Sequence, residues 1–224
     1  MSEPNSYFQQ EILNKPLQKH GLLEELNLPP KAIRFIRENK RNLVIGLCCL
    51  VAAILGWSYY NHYTDRQNDR AAALLAEAMA TGAVDKRQEQ LRKVQADFGS
   101  TGSSLWAEIE LAHIAHDAGN YDEAIAGYRK VLGEISSSSP VFPLVQLNLA
   151  QAFEDKKMPD EALSAYEKLA GKKGFSAEAF LAMARMHQEK GDAAGAKEMY
   201  KKLLALEEAS AALKEMAQAR LDRM

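Results

Sequence analysis

A stretch of 23 residues without a charged side chain, residues 42–64, most constrains what this chain can fold into. Its densest part, residues 43–57, contains eight Leu, Ile or Val residues, which together favour lipid by roughly 2.5–5 kcal/mol. A helix from Leu43 to Tyr60 would extend roughly 27 Å, close to the thickness of a hydrocarbon core. The stretch therefore predicts a transmembrane helix, anchored by Leu43, Val44, Ile45, Leu47, Leu50, Val51, Ile54, Leu55 and Trp57.

The charges on either side of this stretch predict its orientation. Residues 31–41 carry five Lys or Arg residues and one acidic residue, whereas the charges at positions 65–70 balance. Because basic flanks remain in the cytoplasm, we expect residues 1–41 to be cytoplasmic and residues 42–64 to be an uncleaved signal-anchor. Residues 65–224 then form a domain on the other side of the membrane.

Three other interpretations of the stretch fit the sequence less well. A buried core helix seldom runs this long without a charge, and a cleaved signal peptide would start earlier and precede an A-x-A site. Lipoprotein processing requires a small residue where Leu47 precedes Cys48. Cys48 and Cys49 are the two cysteines of the chain, so residues after 64 contain no thiol. A thiol-free domain suits an oxidising compartment, such as a periplasm or an extracellular face.

The overall composition conceals this division. The net charge of −2 argues against a general nucleic-acid binder, which would be basic. Residues 1–63 carry seven basic and five acidic side chains, a net +2, and residues 64–224 carry 21 and 25, a net −4. Two cysteines also exclude a disulfide framework and a four-Cys zinc site.

The chain ahead of the anchor is predicted to be partly helical. Residues Leu17–Leu28 fit a short helix, which Pro29 and Pro30 stop before a new helix starts. From Lys31 we expect one helix to run through the anchor, with its cations at the lipid headgroups.

After Thr64 the sequence is that of consecutive helices with an internal repeat. Glycine, serine and proline clusters divide it into segments of about 12–16 residues, and no alternating strand pattern occurs. Small residues recur at spacings of 38 and then 34, each preceded twelve residues earlier by another small residue and followed four residues later by a tyrosine. These are Ala112, Ala124 and Tyr128; Ala150, Ala162 and Tyr166; and Ala184, Ala196 and Tyr200.

A period of this length with paired small residues resembles the tetratricopeptide repeat, TPR. The repeats are degenerate, because the position that is usually tryptophan in helix A, the first helix of a repeat, holds Glu108, Gln146 and Phe180. We expect an all-α fold in which a single N-terminal transmembrane helix precedes a TPR-like α-solenoid of about three to four helical hairpins. Residues 68–98 are predicted to form the divergent fourth hairpin. Residues Ala209–Met224 are predicted to form a capping helix, with an apolar stripe of Leu213, Met216, Ala217 and Leu221.

The sequence lacks the motifs of common catalytic sites. No G-x-S-x-G, Walker or Rossmann glycine pattern occurs. His113 and His116 share a helix face, but no third metal ligand is evident. We therefore expect a protein-binding module rather than an enzyme, with no metal, cofactor, small-molecule substrate or nucleic acid. Trp106 is expected in the core, with a groove anchor for a partner as the alternative. The A helices of a TPR stack line a concave surface, and the predicted groove residues are His113, His116, Gln151, Glu154, Arg185 and Gln188.

A closer resemblance rests on residues Phe35–Lys40, Gly46 and Gly56–Asn61 of the anchor region, and on Asp160–Ala162 and Lys190–Asp192 of the repeats. In these segments the chain resembles the YfgM family, single-pass TPR proteins that are ancillary subunits of the bacterial SecYEG translocon. The resemblance implies an inner-membrane protein with a periplasmic domain. It also implies three partners: SecYEG, a PpiD-like periplasmic chaperone and nascent secretory proteins. The alternative is a structural scaffold in a cytochrome-maturation, cell-division or pilus assembly, because other envelope proteins share the repeat motifs.

Overall fold

The computed structural model describes residues 29–224, and the helix predicted over Leu17–Leu28 lies outside this range. Residues 29–224 are all-helical, with no β-strand. The helices are α1 (Pro30–Glu38), α2 (Lys40–Ala80), α3 (Val84–Phe98), α4 (Gly102–Asp117), α5 (Tyr121–Glu134), α6 (Phe142–Asp155), α7 (Pro159–Ala170), α8 (Ser176–Glu189), α9 (Ala193–Ala205) and α10 (Ala211–Leu221). The chain divides into two compact units within α2, one ending at His62 and the other beginning at Tyr63.

The predicted single helix from Lys31 through the anchor is wrong at Asn39, which separates α1 from α2. The backbone N–H and the side-chain Nδ2 of Asn39 both donate to the Phe35 carbonyl oxygen, at 3.0 and 3.1 Å. The backbone bond is the ordinary i→i−4 bond of a helix, whereas the side-chain bond competes with the helical hydrogen-bond pattern. This local competition was not visible in the hydropathy pattern, which is continuous there.

The charge-free stretch lies in the first half of α2. All nine predicted anchor residues are exposed, including Leu50, Leu55 and Trp57. By length and composition α2 is able to cross a membrane. An exposed apolar surface of this size is unfavourable in water, so the helix is a candidate membrane span.

The unit from Tyr63 onwards is a stack of helical hairpins. Helices α4 and α5, α6 and α7, and α8 and α9 pair as the three predicted hairpins, and α10 packs on α9 as the predicted cap. The end of α2 and helix α3 share a smaller core with α4, formed by Ala78, Leu91, Val94, Ala107 and Ile114. This smaller core confirms the fourth hairpin.

The repeated alanines explain how the hairpins close. Ala112, Ala124 and their four equivalents are all buried. At Gly127 the two helices of the first hairpin approach so closely that an added Cβ would lie 2.9 Å from the Ala112 Cβ. Small side chains at these positions let the backbones meet, and the tyrosine four residues further on fills the space beside them.

Two exposed side chains differ from the sequence prediction. Trp106, expected in the core, is 40% exposed near the start of α4. Met216, predicted in the buried stripe of the cap, is 45% exposed, whereas Ala217 beside it is fully buried. Helix α10 packs on α9, which leaves part of its apolar surface uncovered, and Trp106 lies on a part of α4 that α3 and α5 do not cover.

The turn between the two helices takes a left-handed residue at the same repeat position in each of the three hairpins from α4 to α9. Gly119, Lys157 and Gly191 have φ angles of +76°, +63° and +74°. A non-glycine residue in this region costs about 1–3 kcal/mol, whereas glycine loses about 0.5–1 kcal/mol more conformational entropy on folding. The second hairpin therefore carries local strain at Lys157.

Replacing Lys157 with glycine should raise the free energy of unfolding by roughly 0.5–1 kcal/mol, because strain relief exceeds the entropy cost. Urea unfolding of the full chain in detergent, followed by circular dichroism, measures the change. The reciprocal variant Gly191→Lys is the control and should destabilise the protein. A loss of stability in Lys157→Gly would contradict this interpretation of the turn.

Candidate protein-binding groove

The predicted groove residues all lie on the first helix of a hairpin, at one or four positions after the small repeat residue. His113 and His116 belong to α4, Gln151 and Glu154 to α6, and Arg185 and Gln188 to α8. Positions three apart on a helix share a face. The structure places these side chains along one side of the stack, and their binding role stays a prediction.

A cavity of about 400 Å³ forms the first section of this groove, between α4 and α6. The wall is polar: Asn148 Nδ2 donates to His113 Nε2 over 2.7 Å. His116 Nε2 lies 2.9 Å from Asp155 Oδ2, although the geometry is not that of a hydrogen bond. The lining residues are Glu110, His113, His116, Asp117, Tyr128, Asn148 and Gln151.

Carboxylates give this first section a negative character. Burial, and then the nearby charges of Asp117 and Glu110, raise the pKa of Tyr128 well above its ordinary value. The Tyr128 ring lies 5.6 Å from the His113 ring, between their centroids. A cationic or hydrogen-bond-donating partner segment matches this environment.

The middle section is closed by side chains that bind one another. The Arg185 guanidinium donates to both carboxylate oxygens of Glu154, with Nη2 at 3.0 and 3.1 Å. The Tyr166 hydroxyl donates to Glu154 Oε2 over 2.6 Å. Burial, followed by the hydrogen bond to Glu154 and its charge, raises the pKa of Tyr166. Glu154 and Arg185 therefore neutralise each other and join α6 to α8, rather than presenting two free charges to a partner.

A second cavity of about 280 Å³ lies between α8 and the capping helix α10. The Tyr200 hydroxyl at its floor donates to Gln188 Oε1 over 3.3 Å. The lining residues are Leu181, Arg185, Gln188, Glu189, Tyr200, Met216 and Arg220. Met216, which is too exposed for a core residue, thus contributes an apolar wall to the groove.

Several lining residues were missed by the sequence reasoning. Tyr128 and Tyr200 were recognised as repeat residues but not as the floor of the two cavities. Glu110 and Asn148 hold equivalent positions two residues before Ala112 and Ala150, so the repeat register contained a signal for them. Met216 and Arg220 come from α10, which has no repeat motif to align.

The two histidines are held by neighbours rather than grouped with further metal ligands. His113 contacts Asn148, and His116 contacts Asp155. Within residues 29–224, no group of three or more His, Cys, Asp or Glu side chains is arranged to hold a metal ion. The geometry favours contact with polar groups of a partner.

Stacked helical hairpins with a groove along their first helices define a helical-repeat protein of the kind that binds other proteins. The chain belongs to the tetratricopeptide repeat-like domain family, whose profile matches residues 34–179. A tetratricopeptide repeat profile also matches residues 177–210. The first match begins ahead of the charge-free stretch and so includes it.

Solved structures share this fold. MamA AMB-1 is 25% identical, with a TM-score of 0.51, and the match covers 66% of this chain and 78% of MamA. The TPR-like repeats of a putative kinesin light chain from Podosopora anserina are 20% identical, with a TM-score of 0.51, and cover 71% of this chain and 83% of their own. The second likeness shows the fold alone. No curated protein matches the chain.

Proposed function

We propose that this protein is a membrane-anchored, non-enzymatic module that holds a segment of a partner protein in the groove of its repeats. The observation that carries the proposal is the row of exposed and half-buried polar side chains, with two cavities, along α4, α6 and α8. Repeat stacks bind partners along such extended surfaces. We expect His113 and His116, the usual candidates for acid–base chemistry, to contact polar groups of the partner instead.

The proposed anchor is the charge-free half of α2, which would span a bacterial inner membrane. The N-terminus would then lie in the cytoplasm and the repeats in the periplasm. Basic residues at 31–41 support this orientation through the positive-inside rule. The absence of cysteine after Cys49 suits the oxidising side.

The proposed task is that of an ancillary translocon subunit, which assists the handover of secreted proteins to a periplasmic chaperone. Its partners would be SecYEG, a PpiD-like chaperone and nascent secretory proteins. The support is the resemblance of the anchor region to the YfgM family, together with a family match that spans anchor and repeats in one range. A scaffold role in another envelope assembly is the competing outcome of the test.

Blocking both cavities should separate these possibilities. Gln151 and Gln188 are exposed, one in each cavity, so Gln151→Trp with Gln188→Trp fills the groove without adding charge. The full chain is purified in mild detergent, and the SecY and PpiD-like chaperone that accompany it are quantified. We expect the double variant to recover at least about tenfold less of both partners, the size of effect typical of central interface positions. Quantitative mass spectrometry measures the recovery.

Gln218→Trp is the matched control, because Gln218 is exposed on α10 outside both cavities. It should leave recovery unchanged. Recovery of a division, pilus or cytochrome-maturation complex without SecY would overturn the translocon role. Undiminished recovery of SecY with the double variant would instead place the contact outside the groove.

A further inference from the structure

A separate cavity of about 380 Å³ lies between the second helices of two neighbouring hairpins, α5 and α7, with α6 beneath it. Its α6 residues, Phe142, Leu149 and Phe153, follow a different helical stripe from the groove residues Asn148 and Gln151. The size is within the range of pockets that accommodate a ligand or a peptide side chain. The cavity is therefore distinct from the proposed groove.

The floor of this cavity carries apolar side chains and one buried amide. Phe142, Leu149 and Phe153 provide ring and aliphatic surface. Gln146, which is only 2% exposed, donates from Nε2 to the Ala165 carbonyl over 3.0 Å and so joins α6 to α7 at the floor. A preformed apolar floor of this kind binds a side chain without first having to be ordered.

The rim of the cavity is cationic. The Arg129 guanidinium, which lines the opening, lies 5.2 Å from the centre of the Phe153 ring. Lys172 is not a lining residue, but its Nζ lies 5.0 Å from the centre of the Phe142 ring and donates to the Ser137 carbonyl oxygen. Lys168 also lines the opening, and Glu161 is the one acidic residue among the lining side chains. The charge is thus opposite to that of the first section of the groove.

We propose that this cavity is a second protein-binding site, which takes a peptide segment presenting an acidic side chain beside an aromatic or aliphatic one. The apolar side chain enters between Phe142 and Phe153, and its carboxylate neighbour pairs with Arg129 and Lys168. Desolvation by the apolar floor strengthens such an ion pair relative to one in open water. The site is independent of the groove and goes beyond the proposed function.

Gly133 offers a way to block this cavity without damaging the fold. It lies at its edge near the end of α5, and a Cβ added there meets no atom within 4 Å. The φ angle of Gly133 is not in the left-handed region, and glycine in a helix makes the helix less stable than most other residues do. Gly133→Leu should therefore fill the opening and leave the unfolding midpoint unchanged or higher.

Fluorine NMR of a labelled probe peptide tests the site. The probe is acetyl-Gly-Glu-Phe-Glu-Leu-Gly-amide with fluorophenylalanine in place of Phe, titrated with the full chain in detergent; a second probe has Lys in place of both Glu residues. We expect the acidic probe to bind at least about tenfold more tightly than the basic one. We expect the Gly133→Leu variant to bind the acidic probe at least about tenfold more weakly than the unmodified chain does. The groove variant Gln151→Trp with Gln188→Trp should bind it normally, which separates this test from that of the groove.

Gly171→Leu is the matched control, since Gly171 holds the equivalent position in the next hairpin, outside the cavity, and also has open space around it. It should bind the acidic probe as the unmodified chain does. Equal binding of both probes, unchanged binding to Gly133→Leu, or an equal loss in Gly171→Leu would overturn the proposal. So would a dimer of the full chain that Gly133→Leu dissociates, because the occupant would then be a second copy.

Discussion

Replacing Tyr166 with alanine will lower the free energy of unfolding by about 3–5 kcal/mol, the range for a buried aromatic side chain. Tyr166 is 1% exposed and lies in the main core, where α6, α7 and α8 meet. Its hydroxyl also donates to Glu154, which binds Arg185 on the next hairpin. Alanine leaves a cavity and removes a hydrogen bond that helps to hold the neighbouring hairpins in register.

Tyr166→Phe is the control that separates packing from the hydrogen bond. It keeps the ring and should cost about 1.5–3 kcal/mol, the usual contribution of a hydrogen bond to a charged group. Urea unfolding of the full chain in detergent, followed by circular dichroism, measures both variants. If Tyr166→Ala costs no more than Tyr166→Phe, the ring is not part of the continuous core.

Two arginines in the charge-free half of α2 should release the protein from the membrane. Leu50 and Val51 lie near the middle of the stretch and are exposed, so Leu50→Arg with Val51→Arg replaces no core side chain. Each arginine costs about 2.5–3.5 kcal/mol at the centre of a membrane. Their sum is about equal to or greater than the roughly 2.5–5 kcal/mol that the eight aliphatic residues contribute, so insertion should fail.

Alkaline carbonate extraction of cell membranes measures this effect. The unmodified chain should remain in the pellet, and the double arginine variant should move to the supernatant. Leu50→Ala with Val51→Ala is the control, because it shortens the same side chains without adding charge and should remain in the pellet. Retention of the arginine variant would mean that α2 is not what holds the protein on the membrane.

The repeat architecture was predictable because its signals are periodic. Ala112 and Ala124 recur at fixed spacing in the later hairpins, and the structure buries every member of the set. The same register identified the helix face that carries His113 and Gln151. It did not show which charges are satisfied internally, because Glu154 and Arg185 are 31 residues apart and meet only through the tilt of one hairpin on the next.

Local competition and incomplete coverage account for the other differences. The break at Asn39 is accompanied by a side-chain hydrogen bond to the Phe35 carbonyl oxygen, a local feature that a hydropathy pattern averages away. Trp106 is exposed because its helix has only part of its surface covered by its neighbours. Neither the helix break at Asn39 nor the exposure of Trp106 depends on composition, and neither could be predicted from the spacing of residues along the chain.

By itself, the sequence determined the charge-free length of the anchor, the all-α class and the number of hairpins. Each of these follows from local composition or from a period along the chain. Only the tertiary structure decided that the groove has two open sections separated by a closed ion pair, and that a cationic cavity lies between α5 and α7. These features depend on which side chains from different hairpins come into contact. The angles between the helices determine those contacts, and the spacing of residues along the chain does not specify these angles.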